Sequence, residues 1–485
     1  MQFVNHTPFP AQAFRGVDAQ GQAFRVVVLR QTLTWDATGE LFFADVQAAL
    51  CEADEFFEEN MQGSVRRESD LCQYKPRCDV IVNGTAHAPM VNGRPVARFE
   101  VRLMMKCPDT PTPLPPRPEG LNPWMAPDAQ QLAQWQADCE HASRTPTPGE
   151  RLIDKTLRAC GPREFVHATG VSTTVKLVTL GLVQPTYWHL TEPTPQAQVP
   201  LRLEHAFGGQ CRIEASSSLA GRVPKAHRLT PAQAALHPQA DNPPVAHEAF
   251  AANPTGCGYA PEWFLQANGA ARVEAPQFEY PARPVTVKVF DAAVAPGQGS
   301  QDDVVAGLGV RPKGHPERIR QAGTIDQAFI EGDAPLPPDF DFAVWNAAWP
   351  DQQTEHLQGD ELIGLVNLCA ADTLGARRDA NGNTLLRLWL PGHLPFLVAR
   401  FKSGAMGEVQ AKLDTLLIEP DTCTVSCVWR ATLPLSPAVH TLELRMLERE
   451  EVDALRAEPV HADAGADADP NSDRDTDRDA EAAYG

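Results

Sequence analysis

The chain is expected to be mainly β, built from antiparallel sandwich- or barrel-like sheets with long loops and few short helices. Two observations predict this. Runs rich in β-branched and aromatic residues recur toward both ends of the 485 residues, bounded by turn signals. Proline is also abundant, at 44 residues, and it interrupts helices and central strands alike, so turns, edges and irregular connections should be frequent.

The first expected strand is Phe24-Arg25-Val26-Val27-Val28-Leu29-Arg30, followed by an Asp36-Ala37-Thr38-Gly39 turn and Leu41-Phe42-Phe43. A second covers Cys78 to Gly84. In a third, Val96 to Leu103, Phe99, Val101 and Leu103 form one apolar face opposite Arg98, Glu100 and Arg102, the pattern of a half-exposed antiparallel sheet. Six prolines then fall between Pro108 and Pro118, which enforces extended chain. Within this insertion Asp128 is placed to cap a short helix running to about His141, with Leu132, Trp135 and Cys139 at helical spacing. Strand character returns at Arg151 to Leu157 and near Val171 to Leu182. The stretch from about Gln210 to Pro284 has no sustained period and is expected to wrap the sheets as long loops. A short helix is expected at Thr324 to Ile330. Late strands follow at Leu362–Cys369, Thr384–Leu390, Phe396–Phe401, Lys412–Glu419 and Thr422–Arg430.

These readings divide the chain into an N-terminal β region (1–107), a Pro-rich insertion with a short helix (108–149), a central β and loop region (150–350), a C-terminal β region (351–457) and an acidic tail (458–485). The tail carries almost no large apolar side chain and is expected to be disordered. A formal net charge of −20 without any Lys/Arg-rich run argues against a nucleic-acid partner, because phosphate binding needs a basic stripe. No stretch approaches the roughly 18 apolar residues of a membrane span, and the opening Met1 to His6 lacks a signal-peptide pattern, so a cytoplasmic protein with no membrane contact is expected. Eleven cysteines, an odd number without framework spacing, suit reduced thiols.

No catalytic, cofactor-binding or metal-ligating constellation emerges. Phe207-Gly208-Gly209 lacks the spacing of a phosphate loop and is read as a backbone needing positive φ. Cys72 with Cys78, and Cys423 with Cys427, lack zinc-site spacing and nearby histidines. Asp339 and Asp341 fall on one side of an extended segment. They are read as loop anchors that accept backbone N–H groups, the other reading being a cation or acid–base site. Asp70, Lys75, Arg77 and Asp79 are read as ion pairs around a strand start, with a polar binding site as the alternative. Trp345 and Trp349 are read as core rather than as an exposed patch.

Taken in order, the segments resemble the bacterial family known as domain of unknown function 2169. The likeness runs from Asn5-His6-Thr7-Pro8-Phe9 and Leu29-Arg30-Gln31-Thr32-Leu33 to Ser69-Asp70-Leu71-Cys72-Gln73-Tyr74-Lys75-Pro76-Arg77-Cys78-Asp79-Val80 and the segment holding His87. It continues through Asp154-Lys155-Thr156, Glu204-His205-Ala206-Phe207-Gly208-Gly209, Asn253-Pro254-Thr255-Gly256, Leu336-Pro337-Pro338-Asp339-Phe340-Asp341, Gly359-Asp360-Glu361, Leu413-Asp414-Thr415 and Val428-Trp429-Arg430. The Arg158 to Arg163 turn and the Pro-rich insertion depart from the family pattern. The resemblance implies a non-enzymatic adaptor or chaperone of the bacterial type VI secretion system. Such an adaptor holds a toxic effector in the cytoplasm and assists its loading onto the VgrG spike, with or without a PAAR tip protein. It carries over no catalytic residue and no cofactor. It implies a structural or partner-binding role for Asp70, Lys75, Asp79, His87, Phe207, Gly208, Gly209, Asp339, Asp341, Asp360, Trp429 and Arg430. Two other classes remain open: a hydrolase assembling Asp339, Asp341 and His205 from separate loops, and a carbohydrate- or protein-binding β module using Trp345.

Overall fold

The computed structural model describes residues 1–18, 20–58, 63–118, 128–168, 188–294, 304–435 and 439–457. The strand expected near Val171 to Leu182 and the acidic tail lie outside the described residues. The described chain is mainly β, in several largely antiparallel sheets with few short helices, and no sheet closes into a barrel among the described residues.

Three sheets dominate. The seven-stranded sheet runs Ala11–Val17, Ala23–Trp35, Thr424–Pro434, Lys412–Glu419, Cys78–Val82, Gln353–Thr354, with Leu41–Phe43 attached to Ala23–Trp35. The six-stranded sheet runs Phe278–Glu279, Arg151–Cys160, Arg98–Lys106, Leu362–Val366, Thr384–Trp389, Arg377–Arg378. A four-stranded sheet joins Gln2–Asn5, Val439–Leu447, Leu394–Phe401 and Met406–Gln410. Strands from the first hundred residues therefore interleave with strands from the last hundred, and the central pairing joins Ala23–Trp35 to Thr424–Pro434 in antiparallel register.

The period-2 pattern explains the main core. Val27, Leu29, Leu33 and Trp35 from one sheet meet Val101, Leu103 and Met105 from another, together with Ile363, Leu365, Leu397 and Leu442, all in one buried cluster. Arg98–Lys106 keeps the expected alternation, with Phe99, Val101, Leu103 and Met105 buried while Arg98 and Glu100 are exposed. Asp36 stabilises its turn by accepting the N–H groups of Thr38 at 2.7 Å and Gly39 at 3.1 Å.

The expected helix in the Pro-rich insertion spans Ala129–Arg144, preceded by Asp128. Leu132, Trp135 and Cys139 form its half-buried stripe, and Trp135 Nε1 donates to Pro115 O at 2.9 Å, tying the helix back to the proline segment. The short helix expected at Thr324 to Ile330 is Gln327–Glu331, capped by Asp326, which accepts Phe329 N–H at 2.8 Å.

One expectation is corrected. The stretch from Gln210 to Pro284 does not simply wrap the sheets as loops; it contributes most of a second hydrophobic core. Phe165, Phe207, Ile213, Trp263, Leu265 and Phe290 pack there, served by the Glu262–Asn268 and Val287–Val294 helices and a small sheet of Trp188–Leu190, Arg163–His167 and Arg272–Ala275. Phe165 and Phe290 stack with centroids 4.3 Å apart. Strands of four and five residues and a seven-residue helix are too short to show a period in sequence, which is why this core escaped detection. No described helix is long and apolar enough to cross a membrane.

Candidate functional site

Alternate residues of the seven-stranded sheet point away from the main core, and on that outer face the chain buries charge. Asp79 is fully buried between Val80 and Cys78 of the strand. Its carboxylate accepts Lys75 Nζ at 2.7 Å, the N–H groups of Ala347 and Ala348 at 2.9 and 3.1 Å, and Asn346 Nδ2 at 3.1 Å. Lys75 Nζ donates further to Thr415 Oγ1 at 2.8 Å, and Thr415 sits opposite Asp79 on the neighbouring parallel strand. Burial works against the Lys75 ammonium, but the negative groups around it, Asp79 foremost and Asp414 among them, together outweigh burial and hold the lysine above its ordinary pKa.

Two further pairs extend the cluster. Arg30 bonds Asp70 Oδ2 at 2.9 Å and Ser426 Oγ at 3.1 Å, and the same carboxylate oxygen accepts Cys51 N–H at 2.7 Å. Arg430 meets Asp414 at 2.5 Å and gives its remaining nitrogens to the carbonyls of Cys72 at 2.7 Å and Asp70 at 2.9 Å. The register between Lys412–Glu419 and Thr424–Pro434 shifts between Leu413 and Thr415, so Asp414 is the extra residue of a β-bulge. A bulge re-aims its side chain, which is how Asp414 reaches Arg430 instead of entering the apolar core. The space enclosed by Arg30, Asp70, Lys75, Thr415 and Arg430 is about 20 Å³, room for about one water and too small for a substrate. Chemically the cluster is a clasp: it fixes the loop holding Asp70 and the segment 346–348 onto the sheet.

The sequence-derived residues are thus partly gathered. Asp70, Lys75, Asp79 and Arg430 come together, while Arg77 stays at the surface, 3.9 Å from Glu355. Trp429 lies on the opposite, inner face at 2% exposure, with Nε1 donating to Gln31 Oε1 at 3.3 Å. Asp360 is half-buried beside Glu361, which accepts the N–H groups of Gln358 and Gly359. His87 ends the Thr85–His87 strand, its N–H donating to Asn367 O at 2.9 Å.

Phe207, Gly208 and Gly209 belong to the second core. Gly208 and Gly209 have φ of 152° and 129°, and a Cβ on Gly208 would stand 2.1 Å from Asn253 O. Backbone proximity to the Asn253 turn therefore requires glycine there. Asp339 accepts Thr324 N–H and Oγ1–H, each at 2.8 Å, and Asp341 accepts Ala343 N–H at 2.8 Å, so both carboxylates tie down loops. His205 lines a separate polar cleft with Glu58, Arg202 and Glu204, away from both aspartates. Trp349 is buried and Trp345 half-buried, on successive short turns rather than on one helix face.

Arg30, Asp414, Asn346 and Ser426 were missing from the sequence-derived set. Arg30 and Arg430 carried a readable signal, a single charge following an apolar strand run, but nothing local identifies their partners. A family model described as an uncharacterized protein conserved in bacteria (DUF2169) matches residues 20–107 and 125–430. No curated protein and no solved structure matches the chain. The matched residues carry the buried clasp, most of the two largest sheets and much of the second core, and the chain belongs to this bacterial DUF2169 family.

Proposed function

We propose that this protein is a type VI secretion adaptor that binds a cognate effector in the cytoplasm and assists its loading onto the VgrG/PAAR spike, without chemistry of its own. The observation that carries this reading is an anchored segment that displays apolar side chains. Arg318, fully buried, forks onto Glu68 at 2.6 and 2.9 Å and onto Val344 O, and Lys313 reaches Asp54 at 2.7 Å. Between these anchors and the Asp339–Thr324 bonds the chain exposes Ile319, Ile325 and Ile330 at 58%, 67% and 64%. Isoleucines held in water between ion pairs at Lys313 and Arg318 and the hydrogen bonds of Asp339 lose apolar exposure when a partner covers them, and a partner bound only in its loadable form is stabilised by mass action. Family membership and the broad β framework agree with this role.

The test is co-expression with a candidate type VI effector, followed by pull-down. An Ile325→Asp, Ile330→Asp variant is expected to lose capture by at least about tenfold while keeping its melting temperature, since both side chains are exposed. A strain lacking the protein that shows unchanged effector solubility, abundance and spike association would overturn the proposal.

A further inference from the structure

The seven-stranded sheet ends at Ala11–Val17, which pairs on one side only, with Ala23–Trp35. Two backbone bonds fix the phase of this ladder: Arg30 N–H donates to Pro10 O and Asp18 N–H donates to Gln22 O, each at 3.0 Å. Hydrogen-bonded and non-hydrogen-bonded positions alternate along an antiparallel pair. The even-numbered residues between these bonds therefore point inward, and Ala11, Ala13, Arg15 and Val17 turn their N–H and C=O groups outward. Val17 N–H is taken by Gln73 Oε1 at 2.7 Å. The N–H groups of Ala11, Ala13 and Arg15 have no acceptor among the described residues, which leaves a short open edge.

The charge on this edge is unbalanced. Arg15 stands directly opposite Arg25 at a non-hydrogen-bonded position, where Cα atoms come within about 4.5 Å and side chains are closest. Like charges so placed are destabilising. Neither guanidinium meets an acceptor or an acid among the described residues. Asp18, in the adjoining turn, has its carboxylate engaged by the N–H groups of Gln20 and Gln22 at 3.0 and 2.7 Å. Arg25 Nε is buried, so an incoming acceptor meets the terminal nitrogens of Arg25 and the exposed Arg15.

Ala11 and Ala13 lie on the same face and pack against the main core, so an added strand would extend both the ladder and the apolar layer. Facing cations block indiscriminate pairing at an edge, and they do so for every incoming strand except one that brings a carboxylate to them. The chain carries a net charge of −20, which makes this pair a local exception and confines the fit to a segment laid directly on the edge.

We propose that the 11–15 edge accepts an added strand from a partner polypeptide, with an acidic side chain of that strand seated on the terminal nitrogens of Arg15 and Arg25. The surface uses none of the exposed isoleucines above and stands whether or not they capture an effector. The full-length protein is titrated, by fluorescence anisotropy, with a labelled acetylated heptapeptide, Thr-Val-Thr-Glu-Thr-Val-Thr, and with its counterpart carrying Lys in place of Glu. Hydrogen–deuterium exchange of residues 11–17 is followed in parallel. Binding of the Glu peptide, at least about tenfold weaker binding of the Lys peptide, and slower exchange at 11–17 support the inference. Arg15→Gln is expected to weaken the Glu peptide about tenfold, and Arg15→Lys to keep most of the affinity. Ala13→Pro removes an outward N–H without breaking a ladder bond and should also abolish strand addition. Arg15 is exposed and position 13 is at an edge, so both variants should fold, which circular dichroism checks. Absence of Glu-peptide binding, equal affinity for the two peptides, or binding that leaves exchange at 11–17 unchanged overturns the proposal.

Discussion

Two short stretches bear aspartates that look alike in sequence, Ser69 to Asp79 and Leu336 to Asp341, and the structure uses them in opposite ways. In the first, Asp70 and Asp79 are 6% and 0% exposed and each meets a buried cation. In the second, Asp339 and Asp341 lie at the surface and hold only hydroxyl and backbone N–H groups of nearby loops. The difference lies in what covers them. Asp79 is on a sheet whose outer face is roofed by residues 310 and 346–348, with Ile81, Val310, Ala347 and Leu417 packing beside it. Residue type alone does not distinguish a structural ion pair from a loop cap; cover and cross-strand partners do.

Removing the buried carboxylate should have the largest effect. Asp79→Ala leaves Lys75 buried without its counter-ion and three N–H donors without an acceptor, and is expected to cost about 3–5 kcal/mol in denaturant unfolding, or to prevent folding. An Asp79→Ala protein with an unchanged unfolding midpoint would erase the distinction between the two stretches.

A second experiment sharpens it by contrasting two buried lysines. Lys75 is held above its ordinary value by Asp79, whereas burial, only partly offset by the 46% exposed Asp351 and helped by the nearby Arg283 charge, pushes Lys155 down to about 8. Unfolded Lys155 titrates near 10.5, so between pH 8 and 10.5 the unfolded chain binds the extra proton. This contribution to stability is therefore complete above pH 10.5 and is lost as pH falls through 8. Comparing wild type with Lys155→Met across that window, by urea unfolding, should show the rise in the wild type alone.

The smallest effect belongs to the exposed stretch. Asp339→Ala should cost no more than about 1 kcal/mol, the scale of a lost loop cap. A cost equal to that of Asp79→Ala would mean that the 323–341 loop carries the same load as the sheet.

How much was legible in the sequence follows from the range of the forces involved. Strands such as Arg98–Lys106 and Lys412–Glu419 announce themselves through side-chain alternation and β-branched content, which are local properties. Pairing of Ala23–Trp35 with Thr424–Pro434 is not local, and no pattern within either strand names the other. The clasp was half readable for the same reason. Lys75 and Asp79 are four residues apart, a spacing that suggests an ion pair, whereas Arg30 finds Ser426 at a separation of 396 residues. Asp414 joins Arg430 only because a bulge turns it outward. The second core was hidden by the brevity of its elements, and the glycine pair at 208–209 makes sense only once the Asn253 turn is seen against it.

The interleaved seven-stranded sheet also constrains how the protein is made. Its central strand emerges from the ribosome early, but the strand that completes its pairing is synthesised almost 400 residues later, roughly 20–80 s at about 5–20 residues per second. Throughout that interval the edge of Val26 to Leu33 that will meet Thr424–Pro434 has no native partner, so this sheet cannot close until translation is nearly complete.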